Sequence, residues 1–277
     1  MHRKRFGLLG SLLVVGMLVV GPAASLGGCA ASVNGKVDEQ AVDALISALF
    51  VQDQADFGTE DTLYSLNASG VSVIGACEAR TKALQNYNTL LETNFEDVKD
   101  AEGDVDKLDE ANEAFAQGQV DYEVKNFPTD YWYVAAGMQS LDDGNFDGAE
   151  QDIDIEDTDD SGLDPTDDKD VVASLMICRV NDHPKVDEPD DHQFVVERDQ
   201  DCYLAKKGTL SVTKYDQDKT LTITAEVELT PLDSDGAVKD VDEDAGEVVV
   251  NINSAHCPTL EEEMQNTKDI IEDALDG

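Results

Sequence analysis

One stretch, Thr220 to Thr230, alternates without a break. Leu221, Ile223, Ala225, Val227 and Leu229 are apolar, and Thr222, Thr224, Glu226 and Glu228 stand between them. A side-chain period of two over such a run specifies a β-strand with one packed face and one solvated face. Leu210 and Val212 alternate in the same way within Thr209–Tyr215, and Tyr215-Asp216-Gln217-Asp218-Lys219 supplies a turn between the two runs. The pair is an antiparallel hairpin, and its apolar face requires a core to cover it.

The rest of the chain reads around that hairpin. Tyr131–Ala136, Val171–Val180, Gln193–Glu197 and Gly246–Asn253 are further strand candidates. Glu78 to Gly118 is helical. Leu84, Tyr87, Leu91, Phe95 and Val98 recur at spacings of three and four, and Val105, Leu108, Ala111 and Phe115 do so after a break at Gly103, with Asp104 as N-cap. Thr259 to Leu275 is a terminal helix, with Thr259 and Glu262 as a capping box and Leu260, Met264, Ile270, Ile271 and Leu275 as its apolar stripe. Val42, Leu45, Ile46, Leu49 and Phe50 fit a helical stripe within Val37–Gln52, although Gly35-Lys36-Val37 starts like an extended segment; a helix is expected there. Val71, Val73 and Ile74 suggest a short strand before Cys77. The expected class is α+β: an antiparallel sheet or sandwich with a helical hairpin insertion and a C-terminal helix. One acidic domain is expected over 37–277, with the hairpin at about 78–118, the β-rich part at about 131–254 and the helix at about 259–275.

Charge limits the partners. The chain has 61 Asp+Glu against 19 Lys+Arg, a net charge of −42. Arg3, Lys4 and Arg5 lie in the N-terminal segment, so residues 29–277 carry about −45. Such a surface repels nucleic acid and anionic lipid. With 41% hydrophobic residues a core is still affordable, so global disorder is rejected. A carboxylate-coated protein suited to a salty medium is the leading reading, ahead of a polyvalent cation binder.

The N-terminus carries an address. A basic stretch, His2 to Arg5, precedes the apolar run Leu8–Val20, and Leu26-Gly27-Gly28-Cys29 follows a group of small residues. This segment resembles the lipobox of bacterial lipoproteins cut by a type II signal peptidase. That resemblance implies a signal peptide over 1–28, diacylglycerol and palmitate on Cys29, and anchorage in a membrane by that lipid. Ala30, being other than Asp after the cysteine, points to the outer membrane by analogy with lipoprotein sorting in Gram-negative cells. Residues 29–36 then form a lipidated start and a short tether.

Four cysteines remain, an even set for an oxidising compartment. Cys178 and Cys202 lie on strand candidates close in sequence and are the favoured pair. Cys77 and Cys257 are left to each other. Zinc binding is the weaker alternative, since no CxxC spacing is present.

The hairpin region, with Gly208-Thr209-Leu210-Ser211-Val212-Thr213 and Ala255-His256-Cys257, resembles uncharacterised secreted lipoproteins of Gram-negative bacteria that carry a GTLxVT strand and a last strand ending at a cysteine. The resemblance covers the last quarter of the chain and implies no activity.

Few constellations point to chemistry. Asp157, Asp159 and Ser161 precede Gly162 at the spacing of an EF-hand-type loop, and Asp168 occupies the twelfth position. Asp168 is shorter than the glutamate of that pattern and Asp164 stands where it has an apolar residue, so a solvated acidic linker is preferred over a calcium site. Asp233 to Glu247 is a second acidic loop. His183, His192 and His256 read as loop histidines. Trp132 between Tyr131 and Tyr133 raises a sugar-stacking platform, with a strand that splits these rings between core and surface the preferred reading. No GxSxG, HExxH, GxGxxG or Walker-type motif is present. The function expected is that of a non-enzymatic, lipid-anchored envelope protein; the alternatives are a calcium-stabilised binding module and a glycan-acting hydrolase using two carboxylates.

Overall fold

A computed structural model describes residues 31–43, 45, 47–54, 62–70, 74, 76–101, 104–140, 150–154, 171–190, 193–215, 220–233, 236–238 and 243–276. In chain order the elements are β1 (Ala31–Val37), β2 (Gln40–Ala41), β3 (Ser47–Gln54), β4 (Thr62–Ser69), α1 (Cys77–Asp100), α2 (Val105–Asn126), β5 (Tyr131–Ser140), β6 (Glu150–Asp154), β7 (Val171–Val180), β8 (Lys185–Asp190), β9 (Gln193–Glu197), β10 (Gln200–Tyr215), β11 (Thr220–Pro231), β12 (Gly246–His256) and α3 (Pro258–Asp276). The class is α+β, with a large, mainly antiparallel sheet and a helix at the C-terminal end.

The hairpin expected from alternation is β10–β11, in register from Tyr203↔Pro231 to Tyr215↔Thr220. Its apolar face meets the interior: Leu221, Ile223, Ala225, Val227 and Leu229 are all buried. The sheet order β11-β10-β7-β5-β4-β3-β12 returns from β12 to β11, so the sheet closes on itself as a barrel. Closure removes the unpaired edges that an open sheet presents. Three strands continue the sheet beside this circuit: β1, β2, which pairs with the end of β1, and β6. β1 shares an edge of β12 with β3, pairing with Val248–Ile252 while β3 pairs with Ala255 and His256. β6 shares an edge of β10 with β7 in the same way. The β3–β12 contact is parallel.

Inward-facing residues fill the barrel, among them Phe50, Leu66, Val134, Leu175, Ile177, Leu210 and Ile252. On β10 the inward positions change parity, from Tyr203 and Ala205 to Leu210 and Val212. A bulge between Ala205 and Lys207 makes the change, because one extra residue shifts every later side chain to the opposite face. Gly208 follows the bulge at φ +140°, and a Cβ there would lie 2.1 Å from the carbonyl oxygen of Glu226. Glycine therefore permits the close β10–β11 approach at this point.

The segment 37–52, expected as a helix, contains strands. Ala48 and Phe50 point into the barrel, while Leu49 and Val51 pack on the other side with Ala83, Leu84 and Leu260 of the helices. A strand buried on both faces reads as a continuous apolar run and loses its period of two. Ala31–Val37, expected to begin as a tether through residue 36, is instead strand β1. Its alternate residues Ala31, Val33 and Val37 face the core. Of the strand expected before Cys77, Val71 and Val73 lie outside the described residues, while Ile74 is helical and Cys77 opens α1. β4, which follows β3 and precedes residue 71, is a strand that the sequence reading left unassigned.

The helical hairpin follows expectation and α2 runs past Gly118 to Asn126. Asp104 caps α2 by accepting from the Lys107 amide at 3.4 Å. Thr259 does not begin α3. The carbonyl of Cys257 accepts from the amides of Leu260 and Glu261, and the Thr259 hydroxyl meets that of Thr81 at 3.0 Å beside a disulfide. α3 packs on α1, where Asn88 Oδ1 accepts from Thr267 at 2.7 Å and Gln85 donates to Glu263 at 2.7 Å.

Candidate functional site

The two disulfides expected from the sequence are present. Cys178 and Cys202 are register partners on β7 and β10, with Cα atoms 4.2 Å apart. Cys77 and Cys257, with Cα atoms 5.4 Å apart, tie the start of α1 to the junction of β12 and α3. Threonine hydroxyls of Thr81 and Thr259 surround the second bridge.

Among the described residues, buried and half-buried polar side chains gather between α1, α2, β5 and the link from β9 to β10. Alternation along β5 creates it: Trp132 and Val134 face the barrel core, so Tyr131 and Tyr133 face the helices. The C-terminal turns of α2 bring Tyr122 and Glu123, and α1 brings Arg80 and Tyr87. Tyr122 donates to the carbonyl of Ala83 at 2.9 Å, and Gln119 donates to the Tyr87 hydroxyl at 3.0 Å. The rings of Tyr122 and Phe127 meet edge to face at 6.1 Å, and those of Tyr131 and Tyr133 are tilted at 6.4 Å. Arg198 closes the cluster with an ion pair, Nη2 to Glu123 Oε1 at 2.7 Å.

Burial governs the proton affinities here. It lowers Arg80 to about 10, against the opposing influence of Tyr131, Tyr133 and Tyr122. It raises Tyr133 to about 12 and lifts Tyr87, Tyr122 and Tyr131 above the ordinary phenol range. Glu123 is raised by the same loss of solvent, opposed by the charge and hydrogen bond of Arg198 and by His183. The phenols thus stay protonated at neutral pH and serve as hydrogen-bonding groups. What this arrangement does chemically is hold: it joins the helical hairpin to the barrel and to the β8–β9 ribbon.

The residues singled out in the sequence are scattered. Cys29 and the acidic loop with Asp157, Asp159, Ser161 and Asp168 lie outside the described residues. His183 neighbours Glu123, His192 lies outside the described residues, and His256 contacts Glu261 at 2.7 Å while stacking on Phe50 at 5.0 Å. His183 and His256 therefore have separate partners. Trp132 is buried in the barrel with the Arg179 guanidinium 5.9 Å from its ring, so the aromatic triplet forms no exposed stacking platform. In the second acidic loop, Asp233 accepts from the Ala237 amide and Asp244 from the Gly246 amide, each at 2.9 Å; both close turns. Among the described residues no group of three or more His, Cys, Asp and Glu is placed to hold a metal. No described helix is long and apolar enough to cross a membrane.

Arg80, Glu123 and Arg198 were missed from sequence. One signal existed: Arg80 lies four residues before Leu84, so a cation occupies the apolar stripe of α1. Comparison with protein-family models, with curated proteins and with solved structures finds no match to this chain.

Proposed function

We propose that the chain is a lipid-anchored cell-envelope protein, cut before Cys29, whose acidic domain works without catalysis in a salty medium, with the outer membrane as its place. The observation that carries this reading is the segment Leu26-Gly27-Gly28-Cys29 behind a basic start and the apolar run Leu8–Val20. The cysteine thiol is the nucleophile that a thioether to diacylglycerol requires, and the flanking glycines leave the bond open to a peptidase. Two disulfides within the folded part suit an oxidising compartment outside the cytoplasm. The excess of carboxylates suits solvation in brine, with salt screening their mutual repulsion.

Metabolic labelling with an alkyne analogue of palmitate tests the reading. The parent chain takes up label and fractionates with the outer membrane; Cys29→Ser takes up none and is not cut before residue 29. Inhibition of type II signal peptidase makes the uncleaved, lipid-bearing precursor accumulate. Absence of label on the parent chain overturns the proposal.

A further inference from the structure

The outer face of β1, β12, β11 and β10 carries short, uncharged polar side chains. One row across it reads Ser32, Asn251, Thr224, Ser211, and the next reads Asn253, Thr222, Thr213. Their chain neighbours, such as Val250, Ile252, Ile223 and Val212, point into the barrel, so these side chains point out. None is charged, in a chain with 61 carboxylates. Four strands at the usual spacing make the face about 14 Å wide. Acid returns along the strands at Glu226 and the Glu228–Glu247 pair, and across them at Glu150, the register partner of Ser211 on β6.

The hydroxyls are held flat. Thr224 donates to Asn251 Oδ1 at 3.2 Å and Thr222 to Asn253 Oδ1 at 3.5 Å. Each asparagine thus accepts through its Oδ1, and its side-chain amide also carries N–H donors. The helices pack elsewhere, α3 on β3 and α2 on the β8–β9 ribbon.

The face also lies where the chain joins the sheet. Ala31 is already in register with Ile252, and its amide donates to the Leu45 carbonyl at 3.3 Å. Ser32 is three residues from Cys29, which sets a reach of about 11 Å at most. A lipid on Cys29 would therefore lie close to this face.

We infer that this Ser/Thr/Asn face is turned toward the lipid surface that holds the chain's own anchor, an inference that rests on the proposed lipidation of Cys29. Its place beside the chain's entry and its lack of charge both favour it: a chain whose residues 29–277 carry about −45 approaches phospholipid headgroups at least cost with an uncharged face, within the Debye length of about 10 Å. The asparagine amides match phosphate and ester carbonyl oxygens as donors to acceptors. The anchored domain then stands in one orientation, with the helical layer away from the face that meets lipid.

The test uses the full-length, lipid-modified chain in phosphatidylcholine vesicles containing a fraction of headgroup-spin-labelled phosphatidylcholine. A fluorescent non-natural side chain replaces either Thr224 or, on α1, the exposed Asn86. Quenching severalfold stronger at 224 than at 86 is expected; equal quenching, or stronger quenching at 86, overturns the inference. In phosphatidylglycerol vesicles the pair Asn251→Asp and Asn253→Asp lowers quenching of the probe at 224, and unchanged quenching counts against the face. Intact mass separates the two ideas. A chain without lipid on Cys29 ends the anchoring reading and this one with it, whereas a lipidated chain with equal quenching ends the orientation alone.

Discussion

Glu123 and Arg198 meet at 2.7 Å with both side chains largely withdrawn from solvent, and this contact fixes the last turns of α2 against the β9–β10 link. Each charge depends on the other, since a buried ion left alone carries its desolvation uncompensated. Arg198→Ala should cost about 3 kcal/mol near neutral pH. The cost should shrink on acidification, because protonation of Glu123 removes the stranded charge. Burial raises the folded-state proton affinity of Glu123 above its ordinary value of 4.5. The folded state therefore holds that proton more tightly than the unfolded state, and the contribution to stability falls as pH rises from about 4.5 through the folded value. Glu123→Gln lacks this term. Urea unfolding at a series of pH values should show the glutamine variant gaining on the parent as pH rises; the opposite slope would mean that attraction to Arg198 outweighs burial.

The two disulfides close loops of very different length, with sequence separations of 180 for Cys77–Cys257 and 24 for Cys178–Cys202. In the chain-entropy account, stabilisation grows with the logarithm of loop length. Replacing Cys77 and Cys257 together by serine should cost about 5 kcal/mol, and replacing Cys178 and Cys202 about 3.5 kcal/mol. Melting temperatures of the two double variants should fall in that order. A larger loss for the Cys178/Cys202 variant would show that local packing at the β7–β10 pair matters more than chain entropy.

Gly208 offers a sharper test of the barrel. Its φ of +140° is rare for residues with a Cβ, and the Cβ of alanine would meet backbone atoms of Glu226 and Val227. Backbone cannot swing aside as a side chain can. Gly208→Ala should lower stability by at least about 2 kcal/mol, through strain and loss of β10–β11 pairing. Hydrogen exchange would localise the damage to amides near Lys207 and Val227; uniform loss of protection would point to global unfolding instead.

What the sequence made legible follows from how each element is buried. β11 has one dry face and one wet face, so alternation announced it, and Val171–Val180 and Gln193–Glu197 match their strands end to end. β3 is dry on both faces, and its Leu49-Phe50-Val51 run carries no period to read. β1 is short, with Gly35 and Asn34 among its residues, and its partner β12 is distant in sequence; nothing local marks it as a strand. Barrel closure is a property of registers between distant segments, such as Ala255↔Leu49, and no single segment encodes it. The cysteine pairing was legible because two strand candidates lay close together. The Glu123–Arg198 pair was not, since one glutamate among 61 acids is invisible until the fold buries it.

The last prediction concerns the 61 carboxylates and the segment around Asp157. Repulsion among them opposes the compact state, and added electrolyte screens it over a Debye length that falls from about 10 Å at 0.1 M to about 3 Å at 1 M. The melting temperature of the Cys29→Ser domain should therefore rise with sodium chloride and level off at high concentration. Calcium added at that plateau distinguishes two roles for Asp157, Asp159, Ser161 and Asp168. As a solvated linker they leave the melt unchanged, which is the expected outcome, because screening is already complete. As ligands they bind only the folded state and raise the melting temperature further by mass action. Magnesium, which demands a smaller and stricter octahedral site, would not reproduce that rise. Loss of a calcium-specific increment in Asp157→Ala and Asp159→Ala would then assign the loop as its source.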